Sequence, residues 1–132
     1  MTSSEPNWLS LELILAAHSK QIEEFGGTYG LRDQDLLESA IARPQQQWSF
    51  SDPAPDACSL AASYAFGLVK NHAFLDGNKR IAHVAYRLFL AKNGLLMTAT
   101  REEKYSKMIA LASSETSEED FAEWLRSVTE KA

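Results

Sequence analysis

The chain has 132 residues, of which 45% are hydrophobic and 23% charged, and its formal net charge at pH 7 is -5. This length supports one hydrophobic core, the apolar share argues against intrinsic disorder, and the negative balance argues against a broad nucleic-acid-binding surface. We therefore expect a single domain over residues 1–132 that acts on a protein or a nucleotide rather than on nucleic acid directly.

Targeting signals and cysteine content bear on the compartment. The longest apolar stretch, 60–69, is well short of the roughly 20 residues that a membrane-spanning helix needs. Residues 1–7 lack the basic start of a secretory signal. The single cysteine, Cys58, has no partner for an intramolecular disulfide, which favours a small buried side chain in a reducing compartment. We expect a cytoplasmic protein without a membrane span.

The first predicted element is an amphipathic helix over about residues 9–25. Its apolar stripe consists of Leu11, Ile14, His18, Ile22 and Phe25. Gly26 and Gly27 end this helix, and with Gly30 they predict a short glycine-rich flap near a ligand.

A short second helix is predicted after Asp33, which can cap it, and before Pro44. Its apolar face is Leu36, Leu37, Ala40 and Ile41. The proline- and glutamine-rich segment 44–55 has no period and predicts a surface loop held to the core by Trp48 and Phe50.

The two most apolar helices follow. From Asp56 to Val69 the chain is apolar nearly all round, which predicts a helix buried at the centre of a bundle. The next helix follows Asn78 and ends before Gly94. It is predicted to turn Ile81, Val84, Ala85, Leu88 and Phe89 inward and to carry Arg80, His83 and Arg87 on a polar stripe.

The C-terminal third predicts two further helices, each preceded by a capping pattern. Thr100 with Glu103 precedes one, and Ser117 with Asp120 precedes the other. Their apolar residues are Tyr105, Met108 and Ile109 in the first and Phe121, Trp124, Leu125 and Val128 in the second. Because no strand pattern exceeds a few residues, the predicted fold is an all-α bundle of six helices.

Polar residues fill the loop between the two most apolar helices. Asp76, Gly77 and Asn78 can cap the second of these helices, whose free N–H groups and positive dipole end attract phosphate. Lys79 and Arg80 lie in its first turn, where a cation opposes the dipole unless an anionic ligand is bound.

Other residues of the same loop have chemical roles available. Asp76 is a hard oxygen donor suited to Mg²⁺, His72 can act as a general base near neutral pH, and Phe74 can anchor the loop to the core. The same residue types also form ordinary helix caps, polar turns and solvated faces. The residues alone therefore leave both interpretations open.

The segment from His72 to Arg80 resembles the signature of the Fic/Doc family, His-x-Phe-x-Asp/Glu-Gly/Ala-Asn-x-Arg, at every fixed position. Segments 25–27, 30–33, 36–40, 42–44, 88–90 and 93–94 also resemble the Doc branch, the death-on-curing toxins. The likeness weakens over 44–56 and the last two helices. It implies the all-α six-helix fold of that family, with a buried central helix and a short glycine-rich flap.

The resemblance also implies a role for each signature residue. The residue matching His72 takes the proton of a target hydroxyl, and the one matching Asp76 holds Mg²⁺ on the nucleotide phosphates. Gly77 and Asn78 match the anion-binding turn, and the residue matching Arg80 steadies phosphate charge in the transition state.

Position 79 separates the branches of the family. Fic enzymes that transfer AMP usually have glycine there and often a second arginine at the position of His83. Lys79 is typical of Doc proteins, in which ATP is thought to lie reversed and to present its γ-phosphate to the target. Lys70, close to the signature, is interpreted as a surface lysine rather than as a phosphate contact.

By this resemblance the protein would be the toxin of a Phd/Doc-type toxin–antitoxin system. It would use ATP and Mg²⁺ to phosphorylate a Ser or Thr hydroxyl of a translation elongation factor of the Tu type. A Phd-like antitoxin would neutralise it by binding an apolar groove, with Trp8 and Trp124 as candidate exposed aromatics. The alternatives are a Fic-type protein AMP transferase and a non-catalytic binding scaffold.

Overall fold

A computed structural model of the chain describes residues 4–132; residues 1–3, which belong to the predicted domain and to the N-terminal segment 1–7, lie outside the described part. The described chain forms α1 (Leu11–Phe25), α2 (Gln34–Phe50), α3 (Ala57–Asn71), α4 (Asn78–Lys92), β1 (Leu95–Met97), α5 (Arg101–Ala112), α6 (Glu118–Ser127) and β2 (Thr129–Lys131). The prediction of an all-α fold with six helices is confirmed.

The helix N-termini differ in whether a side chain caps them. Five helices begin with a side chain that accepts a hydrogen bond from the backbone N–H three residues later: Ser10, Asp33, Asp56, Thr100 and Ser117. Helix α4 is preceded instead by Gly77, and no side chain caps it. Its first N–H groups therefore remain available to another acceptor.

Helix α3 is the centre of the core, as the sequence predicted. Residues on all its sides are buried, including Leu60, Tyr64 and Leu68, each at most 1% exposed. It packs against α2 on one side and against α4 and α6 on the others. The signature segment begins at the end of this helix, so one of its two ends is fixed by the core.

Helix α2 is longer than predicted, and the expected loop is wrong for residues 44–50. The helix continues through Pro44, which is buried, to Phe50. Proline removes one helical hydrogen bond, but its ring packs in the core and Trp48 packs edge-on against Trp8 at 6.3 Å. Phe50 is 87% exposed and does not hold this segment to the core. Tertiary packing has outweighed the local stop signal.

Several predicted apolar faces are also wrong at single positions. Phe25 is 68% exposed because it is the last residue of α1, where the helix has left the core. In α5 the buried residues are Met108 and Leu111, whereas Tyr105 and Ile109 lie at the surface. In α4, Val84 and Leu88 are only half-buried. Periodicity located each helix but not the edges of its buried face.

The predicted exposed aromatics are not exposed. Trp124 is 8% exposed and its Nε1 donates to Glu103 Oε2 at 2.7 Å. Trp8 is half-buried and stacks on Phe89 with ring centroids 6.0 Å apart. Neither side chain marks a free groove.

The sequence did not predict the small sheet. Strands β1 and β2 pair antiparallel, with Leu96 opposite Glu130, and each has only three residues, too few for a recognisable alternation. Cys58 is buried as expected. Within residues 4–132, none of the helices combines the length and the apolar character that crossing a membrane requires.

Candidate active site

The signature segment, residues 72–80, turns sharply at two positions. His72 directly follows α3 and has the left-handed conformation, with φ 50° and ψ 47°. Gly77 directly precedes α4 and has a φ of 77°. A left-handed residue reverses the chain locally, so these two residues carry the chain from α3 into α4 within a short loop.

The side chain of Asn78 closes this loop from inside. Its Oδ1 accepts from the N–H of Phe74 at 3.0 Å, and its Nδ2 donates to the carbonyl of the same residue at 2.9 Å. Asn78 is 8% exposed and Phe74 3%. Because the side-chain amide is buried and bonded within the loop, it holds the loop together, and the backbone N–H of Asn78 is the donor suited to meet an anion.

Two backbone donors hold the carboxylate of Asp76. Its Oδ2 accepts from the N–H of Thr28 at 3.1 Å, and its Oδ1 accepts from the N–H of Gly77 at 2.8 Å. These two hydrogen bonds, that from Thr28 first, lower the pKa of Asp76 below its ordinary value of 3.8. The carboxylate is therefore ionised at neutral pH, as a metal ligand must be.

Asp76 has the donor chemistry for Mg²⁺ held jointly with a nucleotide. Within the described residues, no group of three or more His, Cys, Asp or Glu side chains is placed to hold a metal ion. Mg²⁺ in nucleotide sites is commonly bound by one or two carboxylates together with substrate phosphates. A single ionised carboxylate beside an uncapped helix N-terminus fits that arrangement.

The flap, residues 26–30, lies directly on the signature segment. The carbonyl of Gly30 accepts from the N–H of Leu75 at 3.1 Å, and the next residues continue with an antiparallel bridge between Leu31 and Phe74. A Cβ placed on Gly27 would lie 2.7 Å from Asp76 Oδ2. The predicted glycine-rich connection is thus in contact with the predicted metal ligand.

The two cations of the first turn of α4 differ in their contacts. Arg80 Nη1 donates to the carbonyl of Gly26 at 2.8 Å, which relieves part of its conflict with the helix dipole. Lys79 is exposed and makes no hydrogen bond or ion pair to the residues that the structure describes. With no acidic residue in this turn, the N-terminal end of α4 with its two cations is suited to an anion.

All the predicted site residues line one cavity of about 610 Å³. One wall carries His72, Phe74, Asp76, Gly77, Asn78, Lys79 and Arg80. The remaining lining residues are largely apolar and include Val69 of α3 and Ile109 and Ala112 of α5. The cavity therefore combines an anion-binding end with an apolar surface. The chemical role of each residue stays a prediction.

Sequence reasoning missed three contributors to the site. Arg32 donates from Nε to the carbonyl of His72 at 2.7 Å and from Nη2 to that of Asn71 at 3.1 Å, which caps the end of α3. Thr28 contributes through its backbone, so its side-chain type carries no signal. His18 contacts the loop from α1, although the pattern presented it only as part of an apolar stripe.

Lys70 is not the plain surface lysine that was expected. It is half-buried, and its Nζ donates to the carbonyl of Ala112 at 3.2 Å and to Ser114 Oγ. It thereby ties the end of α3 to the end of α5, and it does not line the cavity.

Comparison with known proteins covers the part of the chain that holds this site. Residues 8–90 match a model of the Fic/DOC family. The protein named Toxin Doc from Mycolicibacterium smegmatis is 43% identical over 75 residues, 57% of this chain and 58% of that protein. Protein kinase doc from Escherichia phage P1 is 32% identical over 87 residues, 66% of this chain and 68% of that protein. The match thus spans little more than half the length of the first relative.

Proposed function

This chain belongs to the Fic/DOC family, and from that membership we propose that it is a Doc-type toxin acting as an ATP-dependent protein kinase. The names of its relatives, Toxin Doc and Protein kinase doc, support this branch. The observation that carries the proposal is that His72, Asp76, Lys79 and Arg80 line one cavity at the uncapped N-terminus of α4.

The uncapped helix end is the proposed phosphate site. The backbone N–H of Asn78 and the side chains of Lys79 and Arg80 supply hydrogen-bond donors and positive charge for a triphosphate, while Gly77, whose N–H is bonded to Asp76, forms the turn before them. Mg²⁺ held by Asp76 and the phosphates would neutralise charge that builds up during transfer. Positioning and charge neutralisation account for most catalysis of phosphoryl transfer, so this set of groups suits the reaction.

The proposed transfer requires one proton acceptor. His72 is exposed at the mouth of the cavity, where a protein hydroxyl can reach it. As the hydroxyl oxygen bonds to the γ-phosphorus, His72 takes the hydroxyl proton, and the bond from the γ-phosphorus to its bridging oxygen breaks. ADP leaves and the target keeps a phosphate. The proposed target is a Ser or Thr of a translation elongation factor of the Tu type.

A groove beside the cavity supports the proposed Phd-like antitoxin partner. It has a volume of about 320 Å³, lies between α4 and α5, and has Val84 and Met108 in its apolar floor. Arg87 and Lys79 lie along it, so it favours an amphipathic segment that carries acidic residues. Co-expression with the product of the adjacent gene tests this pairing, and separate elution of the two proteins at micromolar concentration would contradict it.

The experiment that tests the kinase proposal labels ATP at either the α- or the γ-phosphate. Purified protein is incubated with the elongation factor and Mg²⁺, with His72→Ala as the blank. We expect transfer of the γ-label only. Transfer of the α-label would establish the AMP transferase alternative instead. No transfer, together with no thermal stabilisation by ATP and Mg²⁺, would support a non-catalytic scaffold.

Lys79 provides the matched comparison in the same assay. We expect Lys79→Ala to reduce γ-label transfer strongly, because it removes the cation beside the uncapped helix end that makes no hydrogen bond or ion pair within residues 4–132. Lys92→Ala removes an exposed lysine from the other end of the same helix and should leave transfer unchanged. Equal activity in both variants would argue against a phosphate-binding role for Lys79.

A further inference from the structure

His18 is a buried polar side chain in contact with the signature segment. It lies in the middle of α1, is 3% exposed, and is flanked one turn away on each side by the buried residues Ile14 and Ile22. Its ring stacks on Phe74 with centroids 3.7 Å apart and planes inclined by 10°. A polar ring at this depth requires a hydrogen-bond partner, and its partner lies in the site.

The partner fixes the protonation of the ring nitrogen. His18 Nε2 lies 2.7 Å from the backbone carbonyl oxygen of Asp76. A carbonyl oxygen only accepts hydrogen bonds, so Nε2 carries the hydrogen and donates it. A Cβ placed on Gly77 would lie 3.3 Å from the same nitrogen, so His18 also limits the space beside the turn.

The hydrogen bond from His18 holds the peptide group between Asp76 and Gly77, whose carbonyl and N–H are both hydrogen-bonded. The carbonyl of Asp76 and the N–H of Gly77 belong to the same planar trans peptide, so they point in opposite directions. His18 holds the carbonyl toward α1, and the N–H then faces the carboxylate of Asp76, where it donates to Oδ1 at 2.8 Å. Gly77, at φ 77° and without a side chain, has the backbone freedom to let this peptide rotate if the carbonyl is released.

We propose that His18 is a positioning residue that sets the orientation of the Asp76–Gly77 peptide and, through it, of the carboxylate of Asp76. The expected effect of His18 on catalysis rests on the phosphoryl transfer proposed above. Its effect on the orientation of the peptide does not depend on any activity. Loss of the Nε2 donor leaves the Asp76–Gly77 peptide free to rotate. The carboxylate of Asp76 then moves, and the first N–H groups of α4 lose their orientation relative to the cavity.

Two substitutions separate the donor from the ring. His18→Phe keeps an aromatic ring to stack on Phe74 but removes the donor. His18→Gln removes the ring but places an amide N–H at about the reach of Nε2. Ile14→Val is the control, because it trims a buried side chain one turn earlier on the same helix face without touching the hydrogen bond.

The first readout is the backbone amide signal of Gly77 in ¹⁵N-labelled protein without ligand, together with the thermal melting curve. We expect the Gly77 signal to shift in His18→Phe and to return toward the wild-type position in His18→Gln. In Ile14→Val it should stay in place while the melting temperature falls. A Gly77 signal that is unchanged in His18→Phe overturns the proposal.

The second readout is γ-label transfer at saturating and at limiting ATP with Mg²⁺. We expect kcat to fall on the order of 10- to 100-fold in His18→Phe, the range for misplaced catalytic groups, and to recover in part in His18→Gln. Equal losses in both variants, in proportion to lost thermal stability, would reduce His18 to a packing residue. If the wild type transfers no label, the kinase proposal fails while the Gly77 signal still decides the role of His18.

Discussion

The backbone of Gly27 passes between the two charged side chains of the candidate site. A Cβ at this position would lie 2.7 Å from Asp76 Oδ2 and 2.8 Å from Arg80 Nη2. Gly27 also has a φ of 123°, which residues with a side chain rarely adopt. We expect Gly27→Ala to displace the carboxylate and the guanidinium and to lower γ-label transfer by about 100-fold, comparable with other misplacements of catalytic groups.

The neighbouring Gly26 provides the control for this prediction. It also has a positive φ, 83°, but a Cβ there would meet nothing within 4 Å. Gly26→Ala therefore imposes the backbone strain alone. Similar transfer rates in the two alanine variants would mean that the close approach of Gly27 to Asp76 and Arg80 has no functional role.

Phe74 illustrates how a signature residue contributes to stability rather than to chemistry. It is 3% exposed, stacks on His18, and has both backbone polar groups bonded to Asn78. We expect Phe74→Ala to lower the free energy of unfolding by about 3–5 kcal/mol, as measured by urea titration. Phe50→Ala, at an 87% exposed position, should change it by less than about 0.5 kcal/mol.

At the scale of elements, the contact between α2 and α3 depends on a glycine. A Cβ on Gly67 would lie 3.3 Å from both Cα and Cβ of Ala40. Helix propensity alone predicts that Gly67→Ala stabilises the protein by about 1 kcal/mol. Ala40 is fully buried on a helix backbone that cannot easily retreat, so overpacking should prevail with a net loss of about 1–2 kcal/mol.

A size exchange tests this explanation. The double variant Ala40→Gly/Gly67→Ala removes the contact of the added methyl with Cβ of residue 40 but keeps that with its Cα, so we expect urea denaturation to show part of the lost stability recovered. If the double variant is as unstable as the sum of the two single variants, the contact between these two residues does not limit the packing of the helices.

The elements that the sequence predicted well are those with a local signal of their own. Asp33, Asp56, Thr100 and Ser117 mark helix starts that the structure reproduces, because a capping side chain acts on the N–H groups that immediately follow it. The extension of α2 past Pro44 was not predictable in this way. It depends on the packing of Trp48 against Trp8, forty positions apart in the sequence.

At the scale of the whole molecule, the site combines parts with and without a sequence signal. The contiguous signature predicted the cavity wall formed by 72–80, and the family match of 8–90 includes it. Ile109 and Ala112, which also line the cavity, belong to α5, outside that match. Neither the hydrogen bond from Thr28 N–H nor the contact of His18 follows from residue types, because both arise only when α1 and the flap pack on the loop.

The stability of the whole molecule should depend on the titration of His83, on the surface between α4 and α5. Burial, and then the positive charges of Arg87 and Lys104, lower the pKa of His83 from 6.5 to about 4. Between these two pH values the unfolded chain binds a proton at His83 that the folded chain does not. The contribution is therefore complete above pH 6.5 and is lost as the pH falls toward 4.

Urea denaturation of the wild type and of His83→Gln between pH 7.5 and pH 4, at ~0.5-unit steps, measures this contribution. We expect the wild type to lose more stability than the variant as the pH falls from 6.5 toward 4, with the two curves running parallel above pH 6.5. Asp56 and Asp76 also have lowered pKa values, but they titrate below 3.8 and are present in both proteins. Curves that stay parallel down to pH 4 would mean that His83 is as readily protonated in the folded protein as in the unfolded chain.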